Sequence, residues 1–430
     1  MKYSDSRRSF LKKASLAGAG GIVFNSTFGS GIQKAVNKQP GMSNPSDLRI
    51  TNVTSAYMRG HGTHLFVKIE TNQGIVGYGE GMDAVTGTEG MFRKPGGSFT
   101  NALIGKNPLD VNRIFEDIRL AGFFGGAQSG IYLAVLTAVE AALWDVTGKA
   151  LGLPIYRLIG GKFRDKIRLY CDTASSSEEP ESMAQAAQDV VDKGFTAIKF
   201  DLDWAEDPRK YDKYNMTANN AELDRMMAQM TAVRNKIGEH YDLCVDMHGR
   251  YDTTTGIRVA KMLEPIRLMW LEEPIPAENL DSYREINEHT TTPICLGENH
   301  YLAHNFRDAF EKKACDIAMP DLQKCGGISE GQRIANLASL YYIPIAPHMV
   351  ASPLGAMASC HCCASVPNFL CLEWHWISRW DRWNELIEEE PLIKDGYITV
   401  SDKPGIGVTL IEDAVKKDAI PGVPFFGKLL

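Results

Sequence analysis

Along residues 166–376, short apolar runs alternate with stretches whose apolar residues recur at helical spacing. The runs are KIRLYCDTA, FTAIKFDL, DLCVDMHGR, LMWLEEPIP, PICLGENHY, DIAMPDLQKCGG, YIPIAPHMV and NFLCLEWHW, and helical patterns such as ESMAQAAQDVVDKG and AELDRMMAQMTAVRNKIG lie between them. Eight strands with intervening helices predict an α/β fold, a parallel sheet closed into a (β/α)8-type barrel over 166–376. A doubly wound open sheet is the rival, but YCDTASSSEEP after the first run is not a glycine-rich phosphate loop. Upstream, LRITNVTSAYMRG and THLFVKIETNQGIVGYGEG read as antiparallel strands turning at Asn72-Gln73-Gly74, with helical patterns after them. They predict an N-terminal α+β domain over 46–161. Residues 377–430 carry one more hairpin-like piece and are expected to return to that domain.

The chain has 430 residues, is 44% hydrophobic and has a formal charge of −7, so its charge gives no reason to expect nucleic-acid binding. A small-molecule partner is the expectation. Residues 1–38 form a separate segment in which Ser6-Arg7-Arg8-Ser9-Phe10-Leu11-Lys12 resembles a twin-arginine export signal. This implies a periplasmic or exported protein; a disordered basic tail on a cytoplasmic protein is the alternative. The apolar run after the signal is shorter than the ~20 residues of a spanning helix, so no membrane span is expected there. Nine cysteines cannot all pair within one chain, and Cys360, His361, Cys362 and Cys363 read as a packed helix face rather than a zinc site.

Polar residues gather at the ends of the barrel runs, where such barrels hold their active sites. Lys199 and Asp201 end the second, Asp246 and His248 the third, Glu272 and Glu273 the fourth, and Glu298 and His300 the fifth. The sixth brings Asp321 and Lys324, the seventh His348, the eighth Glu373 and His375. Asp246, Glu272 and Glu298 lie 26 residues apart, one strand-plus-helix unit each, which would set three carboxylates side by side. Their mutual repulsion calls for a cation, and an all-oxygen set points to Mg2+ rather than zinc. Within a strand, Asp246 and His248 would share one face.

The combination of TNQGIVGYGEG, IKF, VDMHGR, WLEEPIP, CLGENH, MPDLQKCGG, IAPHM and LEWHW resembles the enolase superfamily, in its mandelate racemase-like group. The resemblance implies an enolase-like barrel with a capping domain, and one Mg2+ per subunit on Asp246, Glu272 and Glu298. It further implies that His348, oriented by Asp321, removes the proton next to a substrate carboxylate, and that Glu373 binds that carboxylate. Members with a second base carry Lys-x-Lys on the second strand, whereas this chain has Lys199-Phe200-Asp201. Lys199 is expected to neutralise the substrate carboxylate; Asp201 positions a hydroxyl, pairs with Lys199 or has no catalytic part.

His248 resembles the Asp-x-His histidine of galactonate and mannonate dehydratase-like members, which protonates the departing β-hydroxyl. The expected activity is therefore dehydration of a sugar acid to a 2-keto-3-deoxy acid by a homo-oligomeric lyase. Ring opening of an anhydro-aldonate by a cycloisomerase, a racemase or epimerase on the same scaffold, and a non-catalytic acid-sugar binder are the alternatives. Substrate choice is expected from capping loops, with Arg59 and His61 as contacts.

Overall fold

Three antiparallel strands open the part of the chain described by a computed structural model, residues 44–428. They are β1 (Ile50–Gly60), β2 (Gly62–Thr71) and β3 (Val76–Met82). The twin-arginine-like segment lies outside the described residues. Between β2 and β3 the chain turns at Asn72-Gln73-Gly74, where Gly74 takes a φ of 76°, a left-handed conformation natural to glycine. The helix Gly130–Leu151 packs on β3. What permits that approach is the alternation Gly77, Gly79, Gly81 on one face of the strand: a Cβ at Gly79 would lie 2.1 Å from the Ala138 carbonyl oxygen. Backbone meets backbone there, with no room for a side chain. The same helix is long and apolar enough to cross a membrane, but 78% of its most apolar window is buried, as for a core helix.

The barrel follows as β4 (Lys166–Asp172), β5 (Ala197–Asp201), β6 (Asp242–Asp246), β7 (Trp270–Glu272), β8 (Ile294–Leu296) and β9 (Ile317–Ala318), each parallel to the next. The seventh position is reduced to Ile345, which bridges in parallel to Ala318 and to Phe369. The eighth strand, β10 (Leu372–Trp374), pairs with β4 and returns the ring to its start. Pro344 and Pro347 flank Ile345 and lack the N–H groups a longer ladder needs.

Strand alternation sorts the side chains into layers. Cys244, Trp270, Cys295 and Cys371 point inward and form an apolar plug with Tyr170 and Met319. Two residues further along their strands, Asp246, Glu272 and Glu373 stand above that plug, while Val245, Leu271 and Leu372 face the surrounding helices. The floor of the site is thus a dry, close-packed layer.

The last hairpin, β11 (Ile393–Lys394) and β12 (Tyr397–Thr399), lies antiparallel to the start of β4. The tail beyond it then reaches β1, with Ile420 N donating to Tyr57 O at 3.0 Å and Phe426 N to Ser55 O at 2.8 Å. The helix Pro353–Ala364 is buried along its length, and all nine cysteines are free and buried. His361 uses both ring nitrogens on backbone, Nε2 donating to Ile406 O at 2.9 Å and Nδ1 accepting from Tyr156 N at 3.3 Å. That agrees with packing rather than zinc binding.

Candidate active site

Register brings the acids together. Asp201 lies opposite Asp246 and Asp246 opposite Glu272 across β5, β6 and β7, while Glu298 follows two residues after β8 ends. At the centre is Lys199, 1% exposed, with Nζ 2.8 Å from Glu272 and Glu373, 3.0 Å from Asp246 and 3.4 Å from Asp172. Burial opposes its charge, but Glu272, Glu373 and Asp246 outweigh it and hold the ammonium protonated. Its position low on β5, next to the plug, pairs Lys199 with the protein's own acids, Glu373 among them. It does not ion-pair with Asp201.

Asp201 sits one step nearer the mouth, with Oδ1 unpartnered. Burial, then Asp172, raises its carboxyl well above the usual range. Among the described residues, Asp201, Asp246 and His248 have ligand atoms within 4.8 Å of one another. Glu272 is instead held by Lys199 and by Trp270 Nε1 at 3.0 Å, and Glu298 by His348 Nε2 at 2.9 Å. The triad read from equal spacing thus shares one rim, but cationic side chains stand against it. The donor set still fits a hard divalent cation: carboxylate oxygens on adjacent strands, more acids than bases, and an unpartnered oxygen on Asp201.

His248 reaches the site by another route than strand alternation. β6 ends at Asp246, and His248 has a φ of 44° in the left-handed region. Its N–H donates to Asp246 Oδ1 at 2.7 Å, and this turn brings Nε2 to 3.5 Å from Asp246 Oδ2. Nδ1 lies 3.1 Å from Asp203 Oδ1, and Asp203 is also held by Arg250 at 2.9 Å. Burial pulls the imidazole towards neutrality, but the Asp203 bond and the nearby Asp246 raise it to about 10. Asp203 was not singled out in the sequence; its only signal is the two-residue step beyond Asp201.

Across the mouth, His348 Nδ1 bonds Asp321 Oδ2 at 2.7 Å. Burial opposes its protonation, yet Glu373 and Glu298 raise it well above 6.5. Glu373 is fully buried and accepts from Tyr170 Oη and Met349 N, each at 3.1 Å. His61, on the β1–β2 turn, touches His375, whose Nε2 lies 3.1 Å from Asp172. Arg59 is exposed on β1 and bonds to none of these groups. Asp172, in register with Lys199, went unnoticed because LYCDTA offers no motif around it.

A cavity of about 490 Å³ opens beside His248, lined also by Glu273, Asn299, His300 and Tyr301. A larger one, about 620 Å³, lies at the β1 edge among Asn52, Arg93, Lys94 and Phe426, and contains none of the strand-end residues.

Comparison with known proteins gives this geometry a family. Residues 39–160 match the mandelate racemase / muconate lactonizing enzyme N-terminal domain, and residues 182–414 the enolase C-terminal domain-like family. The chain belongs to the mandelate racemase/muconate lactonizing enzyme family. Within it, a D-xylonate dehydratase of Haloferax volcanii is 38% identical over 88% of this chain and 91% of its own. A D-galactonate dehydratase of Pectobacterium atrosepticum is 31% identical over 86% of this chain and 94% of its own. The crystal structure of a family member from Rubrobacter xylanophilus superposes with a TM-score of 0.84 at 39% identity, covering 89% of this chain and all of that one.

Proposed function

We propose that this protein is an acid-sugar dehydratase, which removes the α-proton and β-hydroxyl of an aldonate to give a 2-keto-3-deoxy acid. The observation that carries the reading is the pair of aspartate-held imidazoles, His348 on Asp321 and His248 on Asp203, facing one carboxylate cluster from opposite strands. Elimination needs one group to take a proton and another to give one. The dehydratases among the relatives support the same class.

Asp246, Glu272 and Glu298 are the residues that would hold Mg2+, which supplies positive charge where the substrate carboxylate gains negative charge. His348 takes the α-proton through Nε2, with Asp321 fixing its tautomer. Using Glu298 as a ligand withdraws one of the two main causes that keep His348 protonated. The C–H electron pair becomes the enol double bond, and the C–O pair leaves with the β-oxygen. His248, whose protonated form is favoured by its bond to Asp203, protonates that oxygen so that water departs. Ketonisation of the enol completes the reaction.

A panel of aldonates and anhydro-aldonates with Mg2+ tests this. Loss of water with a 2-keto product supports it. An isomer of unchanged mass turns the reading to cycloisomerase, and binding without turnover turns it to a binding protein.

A further inference from the structure

We propose that Trp270 is a positioning residue for the metal site: its indole N–H holds the Glu272 carboxylate in the orientation that receives the divalent cation. The proposal rests on the reading of Asp246, Glu272 and Glu298 as the metal ligands.

Trp270 and Glu272 stand two residues apart on β7, so both side chains point into the barrel, the indole within the plug and the carboxylate one layer above it. Across that step Trp270 Nε1 donates to Glu272 Oε2 at 3.0 Å, while Lys199 Nζ lies 2.8 Å from Oε1. Each oxygen thus has its own donor, and together the two fix the tilt and rotation of the carboxylate. An ionised carboxylate offers about four acceptor sites, so two donors leave both oxygens able to bind a cation. The indole is also neutral. It orients the acid without adding positive charge beside the cation, where Lys199 and His348 already stand.

The ring itself is held in place. Trp270 is fully buried and meets Tyr170 edge to face, with ring centroids 5.0 Å apart and planes at 86°. Tyr170 Oη in turn donates to Glu373 Oε2 at 3.1 Å, so the two polar rings of the plug serve two different acids. Other indoles in the barrel end elsewhere: Trp376 and Trp383 donate to the backbone carbonyls of Val350 and Ala351, and Trp374 Nε1 has no partner among the described residues. A buried tryptophan in this fold is therefore not forced onto a carboxylate.

The test titrates the full chain, stripped of metal ions, with Mn2+, an oxygen-seeking cation whose free form is counted by electron paramagnetic resonance. Trp270→Phe, which keeps a ring in the plug but no donor, is expected to weaken Mn2+ binding about tenfold. Tyr170→Phe, which removes the other donor of the plug, should leave the Mn2+ Kd within about twofold, since its partner is Glu373 and not a ligand. Should Trp270→Phe fail to fold, benzothienylalanine at position 270, which keeps the indole shape with sulfur in place of the N–H, carries the same expectation. Glu272→Gln serves as the reference for the site and is expected to abolish Mn2+ binding. Loss of binding in Glu272→Gln with none in the variant lacking the indole N–H overturns the proposal alone. So does an equal loss in Tyr170→Phe, which marks a general disturbance of the plug. An unaltered chain that binds no Mn2+, or binding that survives Glu272→Gln, shows instead that the metal reading has failed and takes the proposal with it.

Discussion

Buried acids occur in two settings here, and they are satisfied differently. At the seam between capping domain and barrel, Glu140 accepts from Ile328 N at 3.0 Å, Ser329 N at 2.9 Å, Ser329 Oγ at 2.6 Å and Trp144 Nε1 at 2.8 Å. Glu80 likewise accepts from Ser352 N, Gly355 N and His64 Nδ1 at 2.7–2.9 Å. Each sits on the N-terminus of a barrel helix, where unpaired N–H groups and the helix dipole favour a carboxylate. In the mouth, Asp172, Asp246, Glu272 and Glu373 instead crowd one ammonium, and Asp172 and Asp201 keep an unpartnered oxygen. Seam acids are closed by protein donors and hold domains together. Mouth acids retain acceptor capacity for a ligand.

The comparison breaks most visibly if mouth and seam variants behave alike. His348→Asn is expected to lower kcat by about 10³-fold, in the range for loss of a general base, with a melting temperature close to that of the unaltered protein. Glu140→Ala should do the reverse. It leaves Ile328 N and Ser329 N buried without an acceptor and costs about 3 kcal/mol in urea unfolding, while the folded enzyme keeps its KM. Equal loss of activity in both would dissolve the distinction.

Acid titration sharpens it further. Burial holds His300 and His361 at about 4, well below their unfolded value. Between pH 6.5 and 4 the unfolded chain therefore binds more protons. Stability is full above that window and falls on acidification, by up to about 3 kcal/mol for each imidazole. Urea midpoints across this range should fall steeply, and His361→Gln should flatten the slope. The smallest effect is expected at Asp201: its carboxyl is raised well above the usual range, so at neutral pH Asp201→Asn should raise the urea midpoint slightly. KM for an aldonate should rise in the same variant.

How much of this was legible in the sequence differs between the two settings. The barrel was readable because a strand-plus-helix period repeats, and the strand-end acids and histidines stand out against apolar runs. Lys199 was found but its setting was not, since linear spacing cannot say that four acids from four strands converge on one nitrogen. His248 was reached through the wrong geometry: strand alternation fails at a residue with a φ of 44°. The seam was almost invisible. Glu80 and Glu140 sit in ordinary strand and helix patterns, and their partners lie 272 and 189 residues away in the chain. Long-range helix capping leaves no local pattern to read.

The central claim, that two imidazoles divide proton removal from proton delivery, is tested most directly by His248→Asn with Mg2+ and a turned-over aldonate in D2O. The account predicts that the α-proton still exchanges for deuterium while no 2-keto-3-deoxy acid forms, and that His348→Asn loses both. Full dehydration by His248→Asn would contradict it.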